Sequence, residues 1–303
     1  MILKNESIRD FDPPKRTLDK VAMIPSTEVY FWGIPSSGKT CALGAILSTA
    51  QNGDIALSLT PEPDCLGFDY MTRLSNVFQD GVISALPGGT PVSSTYEMGF
   101  KLEDKKHKDH PITCIDLAGE LLRCMHKRLA NISMTTEEKN ALDILTKVLG
   151  DNRTQNRKMH FFVIEYGAEN RKYEGLIQRN YLDSAVAYIE KMKIFRKDTD
   201  GVYLLITKVD KTGCSGEELR NILTDYINKE YKAFKNKLVK ICRENEINGG
   251  ELKIQPFSLG EIWFQNYCRF DNRYASEILK IIIERSYSEG TTIIDKLKRI
   301  FKK

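Results

Sequence analysis

Residues 27–32 form a run of β-favouring side chains stopped by Gly33, and 39–50 follows as a helical stretch rich in Ala and Leu, giving strand, glycine loop and helix. Further strand-like runs fall at 54–59, 95–103, 111–117, 160–166, 202–208 and 251–258. Several are continuously apolar, the mark of strands covered on both faces. Helical periodicity lies between them near 66–79, 119–149, 175–196, 216–244 and 272–286. This alternation predicts an α/β fold with a parallel-rich sheet sandwiched by helices. Residues 1–26, with Pro13, Pro14 and Pro25 among many charges, are expected to form an N-terminal arm. One domain with insertions (about 51–85 and 120–158) is expected over 27–270, with a C-terminal helical extension over 271–303.

Composition narrows this picture without redirecting it. The 303 residues are 41% hydrophobic and 28% charged, which excludes collagen-like and low-complexity chains. No stretch approaches the ~20 apolar residues of a membrane span. The start carries Lys4, Glu6, Arg9 and Asp10 where a signal peptide has its apolar core, so a cytoplasmic location is expected. Seven cysteines without a C-x-x-C pair read as reduced thiols. A net charge of +4 is too small for a field spanning nucleic acid, and no nucleic-acid partner is expected. One uneven region remains: along 291–303, Ile293, Ile294, Leu297, Ile300 and Phe301 share a helical face opposite a cluster of cations. Such a helix suits an anionic membrane surface, a partner's groove or its own domain.

Candidate chemistry begins at Gly33-Ile34-Pro35-Ser36-Ser37-Gly38-Lys39-Thr40, a full G-x-x-x-x-G-K-[ST] match between a strand and a helix. Backbone N–H groups and the helix dipole there can surround a triphosphate, Lys39 can neutralise its β and γ oxygens, and the Thr40 hydroxyl can ligate Mg²⁺. Because Pro35 lacks an N–H, the cradle is expected from Ser37 through Cys41. Next, the run 112–117 delivers Asp116 at the end of an apolar strand, placed to hold magnesium through water, with Gly119 three residues on and free of a side chain that would block its N–H. The strand 202–208 then leads to Asp210, whose carboxylate can accept from guanine N1–H and the 2-amino group, a donor pair adenine lacks. The aliphatic stem of Lys208 can cover the base.

In this order the three motifs resemble those of translation-factor and Ras-like P-loop GTPases, over roughly residues 27–260. The resemblance implies a P-loop NTPase three-layer sandwich with a mostly parallel central sheet and helical insertions. It assigns phosphate and cofactor contacts to Gly33, Ser36, Ser37, Gly38, Lys39, Thr40 and Cys41, the second switch to Asp116 and Gly119, and base reading to Thr207, Lys208 and Asp210. Thr207 stands where asparagine is commoner. Ser258 and Leu259 fall at the family's last base-contact loop. The first switch should supply a threonine to magnesium, and Thr90 in Pro87-Gly88-Gly89-Thr90 takes that role, with Thr95 as rival. This P-x-G-T run followed by D-x-A-G-E more narrowly resembles bacterial double-GTPase proteins. The implied cofactors are GTP or GDP and Mg²⁺, and the implied partner is a protein effector or regulator, such as another GTPase.

Glu120 occupies the place where hydrolytic switches often carry a water-orienting glutamine. Its charge beside a γ-phosphate leads us to expect slow hydrolysis accelerated by a partner or by assembly. A helix-start acid favoured by the macrodipole explains the same residue. Two other functional classes therefore stay open: a non-catalytic GTP-dependent scaffold, and an ATP-using P-loop enzyme, which Thr207-Lys208-Val209-Asp210 disfavours.

Overall fold

The computed structural model describes residues 25–62, 65, 67–83, 86, 92, 95–150, 156–264 and 266–288. Its elements are β1 (Thr27–Trp32), α1 (Lys39–Gln51), β2 (Ala56–Pro61), α2 (Phe68–Asp80), β3 (Thr95–Asp104), β4 (Asp109–Leu117), α3 (Glu120–Leu129), α4 (Thr136–Gly150) and β5 (Arg157–Glu165). A short hairpin β6 (Lys172–Tyr173) and β7 (Leu176–Ile177) follows, then α5 (Gln178–Lys191), β8 (Thr199–Thr207), α6 (Gly216–Glu230), α7 (Lys232–Glu244) and β9 (Lys253–Phe257). A second hairpin, β10 (Gly260–Trp263) and β11 (Tyr267–Phe270), precedes α8 (Arg273–Arg285).

Seven strands form one sheet in the order β2-β3-β4-β1-β5-β8-β9. The strands from β4 to β9 are mutually parallel, whereas β3 runs antiparallel to both β4 and β2. Antiparallel pairing at this edge follows from the tight turn between β3 and β4, since a parallel return needs a long crossover. Alternation along β1 sorts the layers: Val29 and Phe31 face a core shared with α1, α2 and α8, while Tyr30 and Trp32 face one shared with α3 to α7. The result is an α/β three-layer sandwich. Ala275, Ile278, Leu279 and Ile282 of α8 sit in the first of these cores, so 273–285 of the expected C-terminal extension packs on the sheet. Residues 289–303, with the basic amphipathic run, and 1–24 of the arm lie outside the described residues. Among the described residues no helix is long and apolar enough to cross a membrane.

Two long helical stretches divide. The first breaks at 130–135, where Thr135 Oγ1 accepts from the Glu138 N–H at 3.1 Å and Glu138 Oε2 accepts from the Thr135 N–H at 3.0 Å. This reciprocal capping box starts α4. Glu138 also binds Lys127 and Arg123 of α3, and Arg128 pairs with Asp143, so these cations of the 120–158 insertion hold α3 to α4 or to Glu174 of the first hairpin. The second division falls at Tyr231, which is fully buried and accepts from Gln178 Nε2 at 2.8 Å.

Three polar residues lie in the interior. Lys158 is buried on β5 and paired with Asp198, and His110 is buried between Asp104 and Ser286. His160 is wholly buried, accepts from Trp32 Nε1 at 3.0 Å and stacks on Tyr30. Burial, helped by the Lys158 charge, pushes its imidazole well below the ordinary value of 6.5. The unfolded chain takes up this proton below about pH 6.5 while the folded chain refuses it, so acidification favours unfolding, by up to ~1.4 kcal/mol per pH unit. Urea midpoints should therefore fall between pH 6.5 and 5.5. Equal midpoints would count against a neutral buried His160.

Candidate functional site

The end of the sheet where β1, β4, β5 and β8 finish collects the predicted residues. Gly38 takes a left-handed conformation (φ 93°) as the residue before α1, and Ser36 is also left-handed (φ 63°). The loop bends tightly, and the Ser37 N–H closes it onto the Ile34 carbonyl at 3.2 Å. The first intrahelical bond runs from the Ala42 N–H to the Gly38 carbonyl at 2.9 Å. The N–H groups of Lys39, Thr40 and Cys41 precede it at the positive end of the helix dipole, the usual anion-binding arrangement. Lys39 curls back over the loop and donates to the carbonyls of Gly33 (2.9 Å) and Ile34 (3.1 Å). Burial lowers its ammonium pKa, while the charges of Asp116 and Glu120 pull it back upward.

Asp116, delivered by β4 and fully buried, pairs with Phe31 of β1 two residues before the loop begins. Thr40 Oγ1 approaches its Oδ2 at 3.4 Å, and the same oxygen accepts from Tyr70 OH of α2 at 2.8 Å. Gly119 packs onto the loop so closely that a Cβ there would stand 2.4 Å from Pro35 N, which explains the need for glycine. Glu120 starts α3 beside it.

The other end of the site is built on β8. Thr207 Oγ1 donates to the Ser37 carbonyl at 2.7 Å, and a Cβ on Gly38 would touch the Thr207 methyl at 3.2 Å. Lys208, left-handed at φ 59°, turns the chain into the short helical turn Val209–Thr212 that carries Asp210. Asp210 is exposed and accepts from Ser258 Oγ at 2.8 Å, while the next residue, Leu259, is buried and accepts from the Asp271 N–H at 2.8 Å. Burial pushes the Cys41 thiol up while the Lys208 charge pulls it down, so the two ends lie within electrostatic reach of each other.

Two contributors escaped the sequence reading. Glu165 at the end of β5 pairs with Lys208 (2.8 Å), Arg171 (2.6 Å) and Lys211 (3.4 Å). Burial raises its pKa, but these cations outweigh that and hold the carboxyl below the usual range. Tyr70 is the second, and neither residue belongs to a recognisable spacing pattern. Thr90 lies outside the described residues, and Thr95 begins β3 opposite Leu117.

Hard oxygens on Thr40 and Asp116 next to a lysine ammonium suit Mg²⁺ carrying phosphate oxygens. Ser37 Oγ, buried in the loop, has no hydrogen-bond partner among the described residues, as fits a cradle for a polar ligand. Among the described residues no cluster of His, Cys, Asp and Glu gathers to hold a metal by protein groups alone.

No protein-family model and no curated protein matches the chain. Among solved structures it is similar to a protein described as nucleolar GTP-binding protein 1 from Plasmodium falciparum, at 12% identity over 86% of each chain with a TM-score of 0.33. It is also similar to the signal recognition particle receptor SRb-GTP/SRX complex from Chaetomium thermophilum, at 12% identity over 86% of this chain and 99% of that one with a TM-score of 0.42. A third likeness is to the S. cerevisiae Ski7 GTPase-like domain bound to GTP, at 13% identity over 86% of this chain and 50% of that one with a TM-score of 0.40. Likenesses this loose carry no functional assignment, which rests on the chain's own residues.

Proposed function

We propose that the chain is a Mg²⁺-dependent GTP-binding switch that hydrolyses GTP to GDP and phosphate slowly, with acceleration by a partner or by assembly. The observation that supports this reading most is the Thr207 hydroxyl bonded to the Ser37 carbonyl, which brings the strand end that leads to Asp210 against the glycine loop. In this reading Gly33, Ser36, Ser37, Gly38, Lys39, Thr40 and Cys41 hold the phosphates. Thr207, Lys208, Asp210, Ser258 and Leu259 hold the base, and Thr40, Thr90 and Asp116 serve the metal. Mg²⁺, when bound, neutralises charge on the β and γ phosphates. Lys39 adds a second positive charge, and the amides at the start of α1 stabilise charge that develops on the leaving phosphate.

Glu120 explains why hydrolysis is slow. Its carboxylate repels the γ-phosphate, and the Lys39 ammonium, which feels the Glu120 charge, opposes that repulsion. Arg123, one turn along α3, is engaged by Glu138 and Glu174, and in this reading the accelerating cation comes from a partner. Glu120 equally favours a second reading, a scaffold that binds GTP without cleaving it. The bacterial double-GTPase kinship, a GTPase partner and cytoplasmic residence belong to the same proposal, and membrane contact through 291–303 is its least favoured part.

Displacement of a fluorescent GDP by GTP and by ATP tests the reading. GTP should compete at least about a hundredfold better, the value of two hydrogen bonds to a carboxylate. Equal competition by ATP overturns it. Phosphate release in single turnover separates the slow enzyme from the scaffold.

A further inference from the structure

Asp116 receives two hydroxyls on one oxygen, and they come from different parts of the fold. Thr40 belongs to α1, next to the phosphate loop, whereas Tyr70 belongs to α2, a helix the phosphate-binding motifs do not include. A phenol bonded at 2.8 Å to a buried carboxylate restricts its rotation, so the direction of the whole group follows α2. Tyr70 is held in turn by a ring stack with Tyr96, 4.0 Å between centroids, and Tyr96 is the residue opposite Asp116 in the β3–β4 ladder.

α2 is well placed to carry a displacement. Its first turn is pinned to β3 by the Gly67 N–H on the Glu97 carbonyl at 3.0 Å, and Gly44 of α1 admits it so closely that a Cβ would stand 2.7 Å from Phe78. At its other end the Gly81 carbonyl accepts from the Cys268 N–H at 2.8 Å and Val82 bridges Tyr267, so the β10–β11 hairpin hangs from the helix. That hairpin exposes Ile262, Trp263, Phe264 and Tyr267.

We propose that Tyr70 is a positioning residue of the magnesium site: it orients Asp116 and thereby ties metal occupancy to the placement of α2 and of the aromatic hairpin attached to it. This rests on the GTP-switch reading above. Thr40 and Asp116 would hold Mg²⁺, and the carboxylate shared with Tyr70 links that site to α2.

The test is the release of fluorescent GDP from the full chain, followed against Mg²⁺ concentration and in excess chelator, for wild type, Tyr70→Phe and Tyr96→Phe. Tyr70→Phe keeps the ring stack and removes one hydrogen bond to a charged group, so it should need about tenfold more Mg²⁺ to slow release. Release in chelator should stay at the wild-type rate, which a general loosening of the fold would not preserve. Tyr96→Phe should behave as wild type in both. The second readout is Trp263, one of two tryptophans and the exposed one. The Mg²⁺-dependent emission change of the GDP-bound wild type should disappear in Trp263→Phe and in Tyr70→Phe.

Unchanged Mg²⁺ sensitivity in Tyr70→Phe, faster release in chelator, or a hairpin signal that survives the substitution overturns the proposal. A wild type whose GDP release ignores Mg²⁺ overturns the switch reading as well, which keeps the two failures apart.

Discussion

Asp210→Asn is expected to exchange guanine preference for xanthine preference. The carboxylate accepts from guanine N1–H and the 2-amino group, and one of its oxygens, Oδ1, is already oriented by the Ser258 hydroxyl at 2.8 Å. Asparagine keeps an oxygen for Ser258 and turns an amide donor toward the base. That donor meets guanine's own amino group, but it matches the 2-oxo group of xanthine. Loss of two charge-assisted hydrogen bonds at about 1.5–3 kcal/mol each puts the fall in GTP affinity at ~10²-fold or more. XTP should gain in parallel. Competition titrations of GTP, ATP and XTP on both proteins measure the exchange, and an unchanged GTP-to-XTP ratio would remove Asp210 from the base site.

Lys39→Met should abolish binding of di- and triphosphates at micromolar ligand. A methionine of similar length keeps the stem packed but removes the ammonium, a charge-assisted donor to phosphate that contributes at least ~10²-fold in affinity. The lysine also clamps the Gly33 and Ile34 carbonyls, so a purely structural role has to be separated from a phosphate role. Two melting measurements achieve this. The unliganded melting temperature reports the clamp, and the rise on adding Mg²⁺·GDP reports binding, since a ligand stabilises only the state it binds. The expected result is loss of the rise with the unliganded protein still folded. A retained rise would show that the loop does not bind phosphate through Lys39.

Most of the architecture was legible because its signals are local. Apolar runs ending at Trp32, Leu117 and Lys208 read as buried strands, and they are β1, β4 and β8 of the parallel part of the sheet. Thr135 and Glu138 have the T-x-x-E spacing of a helix start and form its capping box. The break at Tyr231 was not legible, because the apolar period runs straight through it and the turn is held by Gln178, far away in the chain. Lys158 and His160 were not legible either, because nothing beside them in the chain names Asp198 and Trp32, which partner them inside.

The same division runs through the site. Local spacing, with the family resemblance it carries, selected Gly33 through Thr40, Asp116, Gly119 and Thr207 through Asp210, since a loop that wraps an anion and a strand end that presents a carboxylate are each made by consecutive residues. Tertiary structure alone decided that Tyr70 touches Asp116, that Glu165 gathers Lys208, Arg171 and Lys211, and that Ser258 orients Asp210. The physical reason is separation along the chain. A hydrogen bond across dozens of residues depends on how helices and strands stack, and no periodicity in either segment encodes its partner.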